Sequence, residues 1–317
     1  MPVSYVDVNF PNPGRDGDTR FIIYGYRPSI SLGIVGSIFF GAYGIASLCA
    51  LIRPRRAGAI LLLIGVLFEV VGYICRCLSS QVDPYFLAYF VCQYFFIVVA
   101  PVFFAAAIYL DLSRLIAGIT GNNKPPVSPR LILAIFVTFD VITTIVQIAG
   151  AASIGSAESN NKNPAPATDI LIVGLAVQTA AFLVFLVIFL VVIARLQLRM
   201  RSLPAGAYAA LADAHWQFAL LFCSAVLVQL RTAFRLAESS QGVGGYLSSH
   251  TVYFGCLEFL PIVLAVFGLL MLEVAFKRSW GSFTAVGTPG QSLTHPQCRR
   301  HVEASKLGGN EPRLDST

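Results

Sequence analysis

Glu69, Gly72, Tyr73 and Arg76 recur at i, i+3, i+4 and i+7 within Phe68-Glu69-Val70-Val71-Gly72-Tyr73-Ile74-Cys75-Arg76, so a helix sets all four on one face. The stretch lies inside an apolar run, Ala57–Leu78, long enough to span a bilayer. An acid and an arginine at that depth are costly and persist only where they face protein or water. Two chemistries suit them: holding a charged headgroup, or locking helices together as ion pairs. Arg231, Arg235 and Glu238 make a second such face at i, i+4 and i+7. Asp140 and Glu258 add acids in two further apolar runs, and Gln93, Gln147, Gln178 and Gln229 add amides. Amides at such positions more often join helices than bind ligands. Glu69 and Asp140 lack an obvious same-helix partner at i±4, which favours a functional reading for both. The candidate substrate-binding set is therefore Glu69, Arg76, Gln93, Asp140, Gln147, Gln178, Arg231, Arg235, Glu238, His250 and Glu258.

Other chemistries lack their residues. No G-x-x-x-x-G-K-[ST] loop is present to cradle nucleotide phosphates, and no G-x-S-x-G elbow carries a nucleophile. The four histidines, 215, 250, 295 and 301, are too scattered for a zinc or di-iron site. The last apolar run has no lysine for a retinal Schiff base. The chain reads as a non-enzyme without cofactor or metal, a serine or aspartate intramembrane hydrolase being the enzymatic alternative. Six of the seven cysteines lie in apolar runs and Cys298 lies in the tail, so they read as small buried hydrophobes, a bridge between Cys92 and Cys75 or Cys77 being the less favoured alternative to free thiols.

The elements that must position these residues follow from composition. Of 317 residues, 56% are hydrophobic and 12% charged, and mean hydropathy is +0.73, which indicates a polytopic membrane protein. Seven apolar runs of 22 to 25 residues appear: Ile30–Ile52, Ala57–Leu78, Phe86–Leu110, Leu131–Ser153, Ile170–Ala194, Trp216–Ala237 and Val252–Val274. Each suffices to cross the hydrocarbon as a helix. The fold class expected is an all-α bundle of seven transmembrane helices. Residues 1–29 read as an extracellular segment, 30–276 as the membrane domain and 277–317 as a disordered cytosolic tail rich in Gly, Pro, Ser and charge. One set of loops with the tail holds 15 Lys and Arg and the other side four, so the positive-inside rule places the N-terminus outside and the C-terminus in the cytosol. The net charge of +6 is then loop charge and not a nucleic-acid footprint.

That orientation assigns depths. Glu69 and Asp140 fall near mid-membrane, and Arg76, Gln93, Gln147, Gln178, Arg231, Arg235, Glu238 and Glu258 fall in the outer half, with His250 at its edge. The expectation is one polar cavity fed by six spans and opening outward, above a nearly apolar inner half. Pro101 and Pro261 should each free a backbone carbonyl and kink a helix. Tyr24, Tyr26, Tyr85, Tyr89, Tyr246 and Tyr253 read as an aromatic belt.

These residues carry a family resemblance over roughly residues 24–274. The chain resembles the fungal lipid-translocating exporters, the aminocholesterol-resistance (RTA-like) seven-helix proteins. The matching features are Tyr24-Gly25-Tyr26-Arg27-Pro28-Ser29, Glu69-x-x-Gly72-Tyr73-x-x-Arg76, Gln93, Ala100-Pro101-x-Phe103 with Ala106, Tyr109 and Arg114, Asp140 with Gln147 and Gly150, Gly174 with Gln178, Arg231-x-x-x-Arg235-x-x-Glu238, then Gly242, Gly245, His250, Tyr253 and Pro261. Thr251 stands where the family usually has an acid, and Glu258 where it usually has Asp. The resemblance implies a plasma-membrane protein that exports or flips sphingoid long-chain bases or similar amphiphiles and confers resistance to amphiphilic toxins. Its partners would be membrane lipids or amphiphilic small molecules. The alternative is a seven-helix receptor or sensor; against it, Tyr109-Leu110-Asp111-Leu112-Ser113-Arg114 replaces an acid-Arg-Tyr switch, and Asn-Pro-x-x-Tyr is missing from the last run.

Overall fold

Helix boundaries follow local chemistry. Ser29 Oγ accepts the Leu32 N–H at 3.4 Å, and Asn163 Oδ1 accepts the Ala165 N–H at 3.0 Å, so each side chain satisfies an amide with no intrahelical partner. Gly242, at φ 74°, lies just past the sixth helix and donates its N–H to the Ser239 carbonyl, a left-handed stop that glycine adopts without strain. The computed structural model describes residues 29–51, 57–120, 129–159, 163–200, 205–242, 246–249 and 251–286.

Six long helices are α1 (Ile30–Leu51), α2 (Ala57–Gln81), α3 (Leu87–Thr120), α4 (Pro129–Ser159), α5 (Ala165–Met200) and α6 (Ala205–Ser240). The seventh span, α7, is composite. Residues Thr251–Tyr253 are helical, Phe254–Phe259 form a π turn, and Leu260–Val286 continue as α-helix. All seven are long and apolar enough to cross a membrane, and the described residues contain no strand. The seven-span expectation is met, with most helices longer than the apolar runs that announce them. α5 and α6 have 36 residues each, about 54 Å at 1.5 Å per residue, so they outreach a hydrocarbon core of ~30 Å. Hydropathy marks only the part suited to lipid. The helical backbone through Val286 also passes the boundary drawn at 276, and residues 1–28 and 287–317 lie outside the described ones.

α3 occupies the centre, packed on α2, α4 and α6, with 72% of its apolar window buried. α1 is peripheral, with 17% of its window buried through a face of Gly33, Gly36, Phe40, Gly44 and Ser47. Phe40 of α1 stacks on Tyr73 of α2 at 5.4 Å, and both rings meet Phe259 edge-on, so three spans share one aromatic junction. Ile38 and Ile45 of α1, Ile142 and Ile145 of α4, and Val173 and Val187 of α5 are exposed, the lipid-facing coat of a membrane bundle.

Candidate functional site

Two prolines and one π turn build the polar centre. Pro101 has no N–H, so the Ile97 carbonyl one turn earlier loses its helical donor. Arg231 of α6 takes that carbonyl: its Nη2 donates to Ile97 O at 2.6 Å. The same nitrogen donates to Glu258 Oε1 at 2.9 Å. Arg235, one turn on, sets Nε within 2.8–2.9 Å of both Glu258 oxygens and pairs its Nη1 with Glu238 at 3.0 Å. Glu258 sits in the π turn, whose wider winding is common at functional positions. Pro261 cannot donate back into that turn, and Leu260 N–H instead reaches five residues back to Gly255 O. The carbonyl that Pro101 frees is therefore taken by a side chain, while at Pro261 the helix widens into a π turn.

The face read on α2 is buried as a unit: Glu69, Gly72, Tyr73 and Arg76. Gly72 has a steric reason. A Cβ there would stand 2.6 Å from Ile97 Cγ1, so glycine lets α2 close on α3 at the level where Arg231 binds. Arg76 is fully buried with its guanidinium 4.2 Å from the Phe254 ring centroid, inside the same π turn. Arg235 lies 5.9 Å from that ring and 5.5 Å from Tyr94. Glu69 is 2% exposed, feels Arg231, Arg235 and Glu258 electrostatically, and its Oε1 has no hydrogen-bond partner among the described residues. Glu258 Oε2 also lacks a hydrogen bond but lies 2.8 Å from Arg235 Nε, so Glu69 is the acid of this network whose unfilled oxygen has no arginine at salt-bridge distance among the described residues.

Other candidates go elsewhere. Asp140 accepts a hydrogen bond from Tyr109 at 2.9 Å, under the rings of Phe136, Phe182 and Phe185 around that tyrosine. Gln147 donates to Gln178 at 2.5 Å, joining α4 to α5, and Gln229 donates to the Thr179 carbonyl, joining α6 to α5. These amides act as interhelical links. Gln93 is buried on α3 one turn before Ile97. His250 lies outside the described residues. The charged network therefore draws on α2, α3, α6 and α7, four spans and not the six expected, because Asp140, Gln147 and Gln178 find their partners between α3, α4 and α5.

A second charged cluster lies apart from this network. Asp111 and Glu273 are buried, and Arg114 Nη1 lies 2.9 Å from Asp111 and 3.6 Å from Glu273. Gly58 of α2 closes on all three: a Cβ would be 2.8 Å from Arg114 Nη1 and Asp111 Oδ1 and 3.0 Å from Glu273 Oε1. The signal for this cluster is the i, i+3 pair of Asp111 and Arg114, which falls just beyond an apolar run that ends at Leu110.

Beside the network, a cavity of about 140 Å³ lies between α3 and α4, lined by Phe90, Val91, Cys92, Tyr94, Phe95, Ile148, Ala151 and Ala152. Its lining is apolar. Tyr94 belongs to both regions, lining the cavity and stacking near Arg235. The six described cysteines are free, but none is the buried hydrophobe expected: Cys49, Cys92, Cys223 and Cys256 are exposed on the bundle and Cys75 and Cys77 are half-buried. No group of three His, Cys, Asp or Glu able to hold a metal occurs among the described residues.

The model of the RTA1 like protein family matches residues 62–278, which include the whole network. The chain belongs to the RTA1-like family. It is 25% identical over 287 residues to Protein RTA1 of Saccharomyces cerevisiae, covering 83% of this chain and 86% of that protein. It is 26% identical over 311 residues to the sphingoid long-chain base transporter RSB1 of the same yeast, covering 88% and 80%. It is 29% identical over 207 residues to that yeast's protoporphyrin uptake protein 1, covering 64% of each chain. No solved structure matches.

Proposed function

We propose that this chain moves single-chain amphiphiles with a cationic headgroup across the membrane, with Glu69 receiving the cation. One observation supports this above the others: Glu69 keeps an unfilled oxygen, while Glu258 is already held by two arginines and Asp140 by Tyr109. An incoming ammonium would meet that oxygen with its alkyl chain left in apolar surroundings. Two relatives named for transport or uptake of a long-chain base and a porphyrin support amphiphiles in general as the substrate class. The N-out orientation given by loop charge would put the network toward the exterior, and the plasma membrane is the location that fits export.

Reconstitution into liposomes with a labelled long-chain base tests the reading. Flux should exceed that of protein-free vesicles, and Glu69→Gln should lower it at equal protein density. Wild-type flux no greater than in protein-free vesicles would instead favour a sensor.

A further inference from the structure

We infer that Glu69 carries a proton whenever it does not carry the substrate cation, so that the chain exchanges one proton for one amphiphile cation. The inference deepens the proposed function and rests on it. Arg231 and Arg235 of α6, Glu258 of α7 and Tyr73 of α2 act electrostatically on Glu69. Arg76 of α2 joins them through Tyr73, and Glu238 of α6 and Tyr94 of α3 join them through Arg235. With all acids ionised, three arginines (76, 231 and 235) face three glutamates (69, 238 and 258). Glu258 and Glu238 are engaged by Arg231 and Arg235 at 2.8–3.0 Å. No basic side chain among the described residues stands within salt-bridge distance of Glu69, whose Oε1 is enclosed and unbonded.

An enclosed carboxylate oxygen without a donor is expensive, and a single positive occupant removes the cost. A proton and a monovalent ammonium both supply one positive charge at that oxygen. Their joint presence would put two extra charges beside Arg231 and Arg235 in a low-dielectric interior, so one excludes the other. When the cation arrives, the Glu69 O–H bond breaks, its electron pair stays on the carboxylate and the proton passes to water. When the cation leaves, the carboxylate takes a proton back. The network bears the same charge in either loaded form. Exchange is therefore electroneutral, drawing on a pH gradient and not on membrane voltage.

A single-chain quaternary ammonium amphiphile, which cannot carry a proton itself, is the probe. Added to the detergent-solubilised full chain in weak buffer, it should release about one proton per molecule bound, and Glu69→Gln should release none while Glu69→Asp restores release. In proteoliposomes a one-unit pH gradient should accumulate the probe about tenfold, the equilibrium ratio of a one-for-one exchange. A valinomycin–potassium voltage should leave that ratio unchanged. Binding without proton release, or transport indifferent to the pH gradient, overturns the exchange and leaves the transport reading standing. A probe that neither binds nor moves faster than in protein-free vesicles overturns both.

Discussion

Arg231 on α6 donates to the backbone carbonyl of Ile97 on α3 at 2.6 Å, the carbonyl that Pro101 leaves without a helical donor. A proline in one span has thereby created the docking point for a cation from another. Pro101→Ala would return an N–H to that carbonyl and set it in competition with Arg231. The α3 helix should gain local stability, yet Arg231 should shift from its position beside Glu258. Expected is a fall in amphiphile transport with little loss of thermal stability, read by flux and detergent melting on one preparation.

Arg231 and Glu258 form a buried pair, 4% and 1% exposed in their side chains. Removing Glu258 strands Arg231, at a cost of roughly 3–5 kcal/mol, whereas removing Arg231 leaves Glu258 held by Arg235. Glu258→Met should therefore lower the melting temperature more than the paired change Arg231→Met with Glu258→Met, which leaves no charge stranded between those two positions. A double variant as unstable as the single one would show that Arg235 cannot hold its place without Glu258.

Tyr109 and Asp140 offer a cleaner separation of donor from charge. Tyr109→Phe removes the donor from an acid that is 2% exposed, and the loss should be about 1–3 kcal/mol. Asp140→Asn keeps an acceptor for the same hydroxyl and should cost less than Tyr109→Phe. A double-mutant cycle over these positions should show positive coupling. Independent, additive effects would mean that the 2.9 Å bond adds little stability.

Gly58 is the point where α2 meets Arg114, Asp111 and Glu273. Gly58→Ala would drive a methyl into the ion pairs, an overpacking worth about 1–3 kcal/mol. Arg114 is the member able to give way, with its side chain 31% exposed. The variant should thus expose Arg114 further, detectable as faster modification of the guanidinium by phenylglyoxal. Gly41 is the matched control, since a methyl added there would meet nothing within 4 Å. Gly41→Ala should therefore leave labelling unchanged and gain at most the helix preference of alanine, about 0.5–1 kcal/mol.

What the sequence disclosed depended on whether a signal was periodic. The α2 face from Glu69 to Arg76 was legible because helical spacing alone aligns it, and it is buried as expected. Seven spans were legible because lipid demands length and low polarity. The cluster of Asp111, Arg114 and Glu273 escaped because hydropathy falls at Asp111 although α3 continues to Thr120. Asp140 reads as part of the charged network because depth along a helix says nothing of azimuth, and its partner proves to be a tyrosine on α3. The π turn leaves no trace in spacing: Pro261 announces a disturbance, but only the folded chain shows that it falls at Phe254–Phe259.

The wide turn bearing Glu258 gives the seventh span a way to rotate without uncoiling. A bulge of this kind accommodates one surplus residue, and it can migrate along a helix by passing that surplus to its neighbour. Each such step turns the intervening side chain by about 100° around the axis while the ladder on either side stays closed. Glu258 and Phe254 would then swing away from the arginines together, acid and ring as one piece. Rearranging the centre of the bundle would need no rigid-body tilt of a whole span, only a ripple along six residues of α7.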